Sequence, residues 1–153
     1  MREQTVTQLV AGSHDDIFGL ITAPERLAEW NGAIVRVVET PDQLRPGAEW
    51  VVELCALGQS WASRSTVIAI DPTTRHFSYR SRTDDGNPSY ADWSWDVADA
   101  PGGCAVTVSF ALHPATFWRR VLLVRIRAFQ LRRREVPESL RALASAATTV
   151  HDR

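Results

Sequence analysis

The side chains that could move protons lie in two neighbouring strand-like segments, 76–82 and 89–99. They are His76, Tyr79, Arg80, Tyr90 and Asp92. Successive side chains of a strand point to opposite faces, so Tyr79 shares the apolar face of Phe77 while the others point away from it. A single phenol can orient a carbonyl group, but it is a narrow basis for catalysis. Tyr79 is therefore a weak catalytic candidate, and the sequence favours a binding protein over an enzyme.

Other catalytic and cofactor patterns are missing from the sequence. It contains no Gly-x-Ser-x-Gly motif, and the stretch "APGG" at 100–103 is a hairpin turn rather than a phosphate loop. The four histidines are scattered, and Cys55 and Cys104 lack the spacing of zinc ligands. We therefore expect no metal and no cofactor. Both cysteines lie in strand-like segments, where we expect buried free thiols rather than a disulfide.

Large apolar side chains alternate with polar ones along the predicted strands. This alternation assigns one apolar face and yields the sheet residues predicted to bind a ligand: Trp50, Val52, Leu54, Phe77, Tyr79, Trp93, Trp95 and Phe110. Each ring could equally be ordinary core, since an aromatic side chain buries ~150–250 Å² by itself. As a set on a curved sheet they predict an apolar pocket. The inner face of 60–71 stays open, and Ser63 or Ser65 could add polar groups.

The elements that must position these residues are a strand, two short helices, six strands and a long helix. Ser13 is a predicted N-cap, and Pro24 begins the second short helix. The strands are predicted at 3–11, 33–40, 48–57, 60–71, 76–82, 89–99 and 104–112. Strands in series, joined by hairpin-length turns and followed by a helix, predict an α+β fold with an antiparallel sheet.

Two further candidates come from the helices. From residue 115 onward, apolar residues recur at spacings of three and four, which predicts an amphipathic helix of about 30 residues interrupted at Pro137. Its Phe117, Val121 and Val124 would form the helix wall of the pocket. Trp30 ends the second short helix, and we expect its ring near the pocket floor, as a core plug in preference to a ligand contact.

Charge is distributed unevenly along the chain. Residues 1–118 hold 8 Arg against 15 acidic residues, and residues 119–153 hold 9 Arg against 3; there is no Lys. The arginines of the C-terminal helix fit a solvated face that pairs with the acidic body. A peripheral contact with anionic lipid is a second interpretation. The acidic body argues against nucleic acid as a partner.

Length and composition predict one domain spanning 1–153. The chain has 153 residues, of which 44% are apolar and 23% charged, enough for a single core. It contains no apolar run of about 18 residues that could span a membrane and no apolar N-terminal stretch typical of a signal peptide. We therefore expect a cytoplasmic protein. Monomer and homodimer both stay open.

Several segments resemble the polyketide cyclase/dehydrase-like family of the START-domain superfamily, also called SRPBCC. "HDDIFGLITAPERLAEWNGAI" is similar to the opening of that family through Ile17-Phe18, Pro24, Arg26-Leu27 and Trp30. "LRPGAEW", "VIAIDPTTRHFSYRS" and "LRALA" resemble later strands and the final helix of the family. "WSWDVADAPGGCAVTVSF" is similar to its last hairpin, with Cys104 where a Thr is usual. The resemblance covers about residues 4–147.

This resemblance implies a helix-grip fold like that of the birch allergen, with a seven-stranded antiparallel sheet wrapped around a long C-terminal helix. It implies an elongated cavity between sheet and helix for a hydrophobic small molecule such as a lipid or a polyketide. The primary functional hypothesis is thus a binding or carrier domain. The alternatives are a cyclase/dehydratase-type enzyme that uses Tyr79, and an interaction protein that uses the Arg-rich helix on membranes or acidic partners.

Overall fold

Seven strands form one antiparallel sheet in the computed structural model, which describes residues 3–56, 58–83, 89–113, 142 and 143. The strands are Gln4–Val10 (β1), Ile34–Glu39 (β2), Glu49–Ala56 (β3), Gln59–Asp71 (β4), His76–Thr83 (β5), Tyr90–Ala100 (β6) and Gly103–His113 (β7). Their order is β1-β7-β6-β5-β4-β3-β2, so β2 to β7 form a meander and β1 returns to pair with β7. The predicted α+β class and the seven antiparallel strands are confirmed.

Two short helical segments connect the edge strands β1 and β2. Helix α1 spans His14–Ile21, and the Ser13 Oγ accepts a hydrogen bond from the Asp16 amide at 3.1 Å, as an N-cap does. A 3₁₀ turn, Pro24–Arg26, then leads into helix α2, Leu27–Trp30. A proline suits this first position because the amide there has no helical partner to lose. Helix α1 lies against β6, and α2 lies against β2.

The core lies on one face of the sheet. Strand alternation puts the apolar side chains of β3 to β7 on this inner face, where they pack with the buried residues of α1 and α2. Leu143, which is helical together with Ala142, has 0% exposure and belongs to the same cluster. The rest of the predicted C-terminal helix lies outside the described residues, so its length and its wall residues stay predictions.

Ion pairs cover the opposite, outer face. Arg80 pairs with Asp92 through two hydrogen bonds of 2.7 and 3.0 Å between β5 and β6. Arg36 reaches Glu53 at 2.6 Å between β2 and β3. Because these charges all lie across the sheet from the core, the polar and apolar faces are separated as the alternation predicted.

The two cysteines differ in environment. Both thiols are free, and Cys104 is completely buried on the inner face of β7, with its Sγ 3.7 Å from the Val10 carbonyl oxygen. Cys55, however, is exposed, so the expectation that both thiols are buried was wrong for it. The reason is strand parity, since Cys55 follows Leu54 on β3 and points to the outer face.

Candidate functional site

A continuous array of aromatic rings lines the inner face of β3, β5, β6 and β7. Its centre is Tyr79, whose ring centroid lies 4.8 Å from that of Trp50, 5.2 Å from that of Phe77 and 6.4 Å from that of Trp93. Trp93 in turn stacks on Phe110 at 5.2 Å. These spacings are those of favourable aromatic pairs. Residues remote in sequence thus form one apolar wall because their strands are neighbours in the sheet.

The predicted sheet candidates all belong to this wall or pack against it. Trp50, Val52, Phe77, Trp95 and Phe110 are buried core residues. Leu54, Tyr79 and Trp93 are only half-buried, although they pack against the same cluster. The half-buried side chains are the ones with surface left to touch a ligand. The predicted helix wall of Phe117, Val121 and Val124 lies outside the described residues.

A β-bulge settles the inner face of β4, which the sequence left open. Val67 pairs with Tyr79 and Ala69 with Ser78, so Ile68 is the extra residue. Before the bulge, Ser63, Ser65 and Val67 point inward and are buried; at the bulge, Ile68 is 50% exposed. After it the parity changes, and Ile70 packs against the core. One continuous alternation therefore could not fit the whole strand.

Trp30 is a sealed part of this core. Its side chain is 3% exposed, and its ring meets that of Trp95 edge-on, with a centroid distance of 5.6 Å and an interplanar angle of 84°. Its Nε1 is buried and has no hydrogen-bond partner among the described groups. Trp30 is therefore part of the core cluster, and the choice between a core plug and a ligand contact stays a prediction.

Tyr79 combines enclosure with accessible surface. Its hydroxyl oxygen accepts a hydrogen bond from the Trp95 Nε1 at 3.3 Å. Burial raises the pKa of Tyr79 to about 12, while the bond from Trp95 acts in the opposite direction. Yet the residue is half-buried rather than fully buried. Tyr79 is therefore surrounded by protein and still keeps some accessible surface.

Three serines add hydroxyl groups to the inner face that carries Tyr79. Ser63 and Ser65 lie on β4 and are buried, and Ser65 stands directly opposite Ser81 of β5. The Oγ atoms of Ser65 and Ser81 are 2.6 Å apart, which is a hydrogen bond. Ser81 was not among the candidates predicted from the sequence, although extending the alternation of Phe77 and Tyr79 by one step would have found it.

The other acid–base candidates point to the outer face, as their parity predicted. Arg80 is bound to Asp92 and lies 4.0 Å above the ring of Tyr90. His76 bonds to Asp96 at 2.8 Å. These groups therefore neutralise and stack on one another across the sheet from Tyr79. Of the five acid–base candidates predicted from the sequence, Tyr79 is the one whose side chain lies on the aromatic inner face.

The described part of the chain contains no group of three or more His, Cys, Asp or Glu side chains able to hold a metal ion. Within the same residues, no helix is long and apolar enough to cross a membrane.

A seven-stranded antiparallel sheet with two short helices after its first strand, and an aromatic inner face, defines an α+β domain of the START type. The chain belongs to the family described as polyketide cyclase/dehydrase and lipid transport, whose sequence model matches residues 1–147. The resemblance seen in the sequence is thereby confirmed. None of the curated proteins compared with the chain matches it.

Solved structures of similar fold support the assignment. TTHA0849 from Thermus thermophilus has a TM-score of 0.76 at 13% identity and covers 97% of this chain and 99% of its own. Ara h 8.0201 has a TM-score of 0.68 at 15% identity, with 97% and 98% covered. The di-domain ARO/CYC StfQ from the steffimycin biosynthetic pathway has a TM-score of 0.74 at 13% identity; it covers 99% of this chain but 52% of its own. At these identities the likeness concerns the fold.

Proposed function

We propose that the protein binds a hydrophobic small molecule, lipid- or polyketide-like, against the aromatic inner face of the sheet. The observation that carries the proposal is the continuous array of rings around Tyr79, a residue that keeps accessible surface although Trp50, Phe77 and Trp93 surround it. Half-buried Trp93 and Leu54 add apolar surface on the same face. Small-molecule sites are typically apolar concavities with a few polar groups, and the half-buried Tyr79 and Ser81 would supply these.

Burial of ligand surface would drive the binding. Apolar contact contributes about 25 cal/mol per Å² before the cost of ordering the ligand. The predicted helix residues Phe117, Val121 and Val124 would complete the enclosure opposite the sheet. Family membership supports this reading, since lipid transport is part of the family description. We place this binding function in the cytoplasm, because the hydropathy of the sequence predicts a cytoplasmic protein.

The cyclase/dehydratase alternative gains less support from Tyr79 than the sequence suggested. General acids work best with a pKa near the operating pH, and a pKa of about 12 is far above neutrality. Tyr79 is thus better suited to orient a ligand than to transfer a proton. StfQ, which has a similar fold, comes from a biosynthetic pathway. The cyclase/dehydratase function of this chain therefore stays a prediction. Contact of the Arg-rich helix with membranes, and the choice between monomer and homodimer, stay predictions too.

A filling substitution tests the proposed binding function. Leu54→Trp would add bulk from a half-buried inner position, and Leu9→Trp is its control, because Leu9 is 70% exposed on the outer face of β1. We expect the neutral dye N-phenylnaphthylamine to bind the wild type saturably with one site per chain. Leu54→Trp should weaken that binding at least about tenfold by occupying the space, and Leu9→Trp should leave it unchanged.

Native mass spectrometry of the protein as purified is the complementary measurement, since a retained small molecule would identify the ligand class directly. A folded Leu54→Trp variant that binds the dye as the wild type does would contradict the proposal. Dye binding that never saturates would do the same, because it indicates a surface rather than a site.

A further inference from the structure

We propose that the ligand carries an uncharged oxygen group, a carbonyl or a hydroxyl, and that this group binds to the half-buried hydroxyls of Tyr79 and Ser81, next to the buried serines Ser63 and Ser65 of β4. We call these four residues the hydroxyl patch. The inference rests on the proposed binding function and deepens it, because it names the chemistry that the site selects within hydrophobic molecules.

The patch lies on two adjacent strands. Ser63 and Ser65 are one pleat apart on the inner face of β4, and Tyr79 and Ser81 are one pleat apart on the inner face of β5. Ser65 and Ser81 are direct partners in the ladder. Trp50 and Val52, the β3 partners of Ser65 and Ser63, are buried beside the patch. The sheet thus places these four hydroxyls, with that of Thr83 opposite Ser63, in a largely apolar wall.

Some hydroxyl hydrogens of the patch are not used in hydrogen bonds within it. A hydroxyl has one hydrogen to donate and two lone pairs to accept with. One hydrogen joins Ser65 to Ser81, so the second hydroxyl of that pair still has its own hydrogen to give. The Tyr79 oxygen accepts a hydrogen bond from Trp95, and its own hydrogen has no acceptor among the described residues. An enclosed donor without an acceptor is unfavourable, and a ligand oxygen would satisfy it.

The scarcity of charged side chains on the inner face limits which ligands can bind. Among the inner-facing residues of β3 to β7 that the structure describes, the one with a formal charge is Asp99, which is exposed at the far end of β6 and pairs with Arg75. Arg80, Asp92 and Asp96 all point outward. A charged ligand group would lose its hydration there without gaining a countercharge from this wall. A neutral oxygen loses far less on burial and gains the free hydroxyl hydrogens. The wall therefore favours polar but uncharged molecules.

A matched pair of ligands tests the inference. Fluorenone and fluorene have the same tricyclic shape and differ by a carbonyl in place of a methylene, and fluorene carboxylate adds a charge. By calorimetric titration we expect the wild type to bind fluorenone about five- to tenfold more tightly than fluorene, which is the effect of one hydrogen bond. Fluorene carboxylate should bind at least about tenfold more weakly than fluorenone.

Variants assign the preference to the patch. Tyr79→Phe and Ser81→Ala should each reduce the fluorenone-to-fluorene ratio towards one while leaving fluorene affinity nearly unchanged. Their controls are Tyr90→Phe and Ser78→Ala, which make the same changes on the outer face of the sheet and should keep the wild-type ratio. Tyr79→Phe retains the ring, and if it fails to fold, Ser81→Ala still decides.

The outcomes separate this inference from the function on which it rests. Equal affinity of the wild type for fluorenone and fluorene would overturn the role of the hydroxyl patch and leave apolar binding intact. Retention of the ratio in both patch variants would do likewise. If neither tricyclic molecule binds, the proposed function fails and the inference with it.

Discussion

The indole Nε1 of Trp95 donates a hydrogen bond to the hydroxyl oxygen of Tyr79 over 3.3 Å, between the neighbouring strands β6 and β5. The two residues are not direct partners in the ladder: Trp95 stands opposite Phe77, and Tyr79 stands opposite Trp93. The bond therefore runs diagonally along the inner face, within the reach of long aromatic side chains. It fixes the tyrosine oxygen as an acceptor and leaves its hydrogen to point elsewhere.

Tyr79 should ionise at unusually high pH. Burial raises its pKa from 10.0 to about 12, so an ultraviolet absorbance titration should show a phenol that titrates near pH 12 and disappears in Tyr79→Phe. Trp95→Phe should raise the pKa further, because it removes the bond that favours the phenolate. A Tyr79 that titrates near pH 10 would contradict the enclosure on which the proposed site depends.

The free energy of unfolding should decrease as the pH rises, because Tyr79 ionises. Its pKa is higher in the folded state than in the unfolded chain, so its contribution is fully present below about pH 10 and is lost towards pH 12. The loss is at most about 2–3 kcal/mol over that window. The chain has no Lys to titrate there. Denaturant unfolding of the wild type and Tyr79→Phe at several alkaline pH values should therefore show a smaller decline in the variant.

The two thiols should react very differently with a thiol reagent such as Ellman's reagent. Cys55 is exposed, while Cys104 is fully buried and burial raises its pKa, which depletes the reactive thiolate. We expect one thiol per native chain to react rapidly and the second to react only on unfolding. Cys55→Ser should abolish the rapid phase. Rapid reaction of both thiols in the native protein would show that the contact between β7 and β1 opens easily.

Gly103 should tolerate no side chain. A Cβ there would overlap the carbonyl oxygen of Val10 on β1, a backbone atom that cannot move aside cheaply. Gly103→Ala should therefore lower the free energy of unfolding by about 2 kcal/mol or more. Gly19→Ala is the matched control, because Gly19 lies in α1 with open space around it. Alanine should stabilise that helix by about 0.5–1 kcal/mol. Equal effects of the two substitutions would contradict this account of the β1–β7 contact.

Trp30 and Trp95 should differ in the cost of losing their indole nitrogens. Trp95→Phe removes a hydrogen-bond donor from Tyr79, whereas Trp30→Phe removes a donor that has no described partner. Both substitutions leave a similar cavity in the core, so we expect Trp95→Phe to destabilise the protein by about 1 kcal/mol more than Trp30→Phe does. Denaturant unfolding of the two variants measures the difference. The reverse order would mean that the nitrogen of Trp30 has an important partner.

The patterns along single segments predicted most of the described fold. The strand bounds were right to within a residue, and the cap at Ser13, the turn at Pro24 and the aromatic face of β5 and β6 agree with the structure. These features are local: a cap, a proline or a period of two acts within a few residues, so the sequence displays them directly. The inner side of β4 could not be read in this way, because the bulge at Ile68 changes the parity within one strand.

By itself, the sequence determined the strands and the two short helices, the two faces of nearly every strand and the family resemblance, because hydrophobic periodicity is a property of consecutive residues. Only the tertiary structure decided which hydroxyls meet. Ser65 and Ser81 are 16 residues apart and touch because β4 and β5 pair in one register. The bond between Trp95 and Tyr79 likewise depends on the register of β5 against β6. Register is fixed by burial across the whole sheet, which no single segment contains.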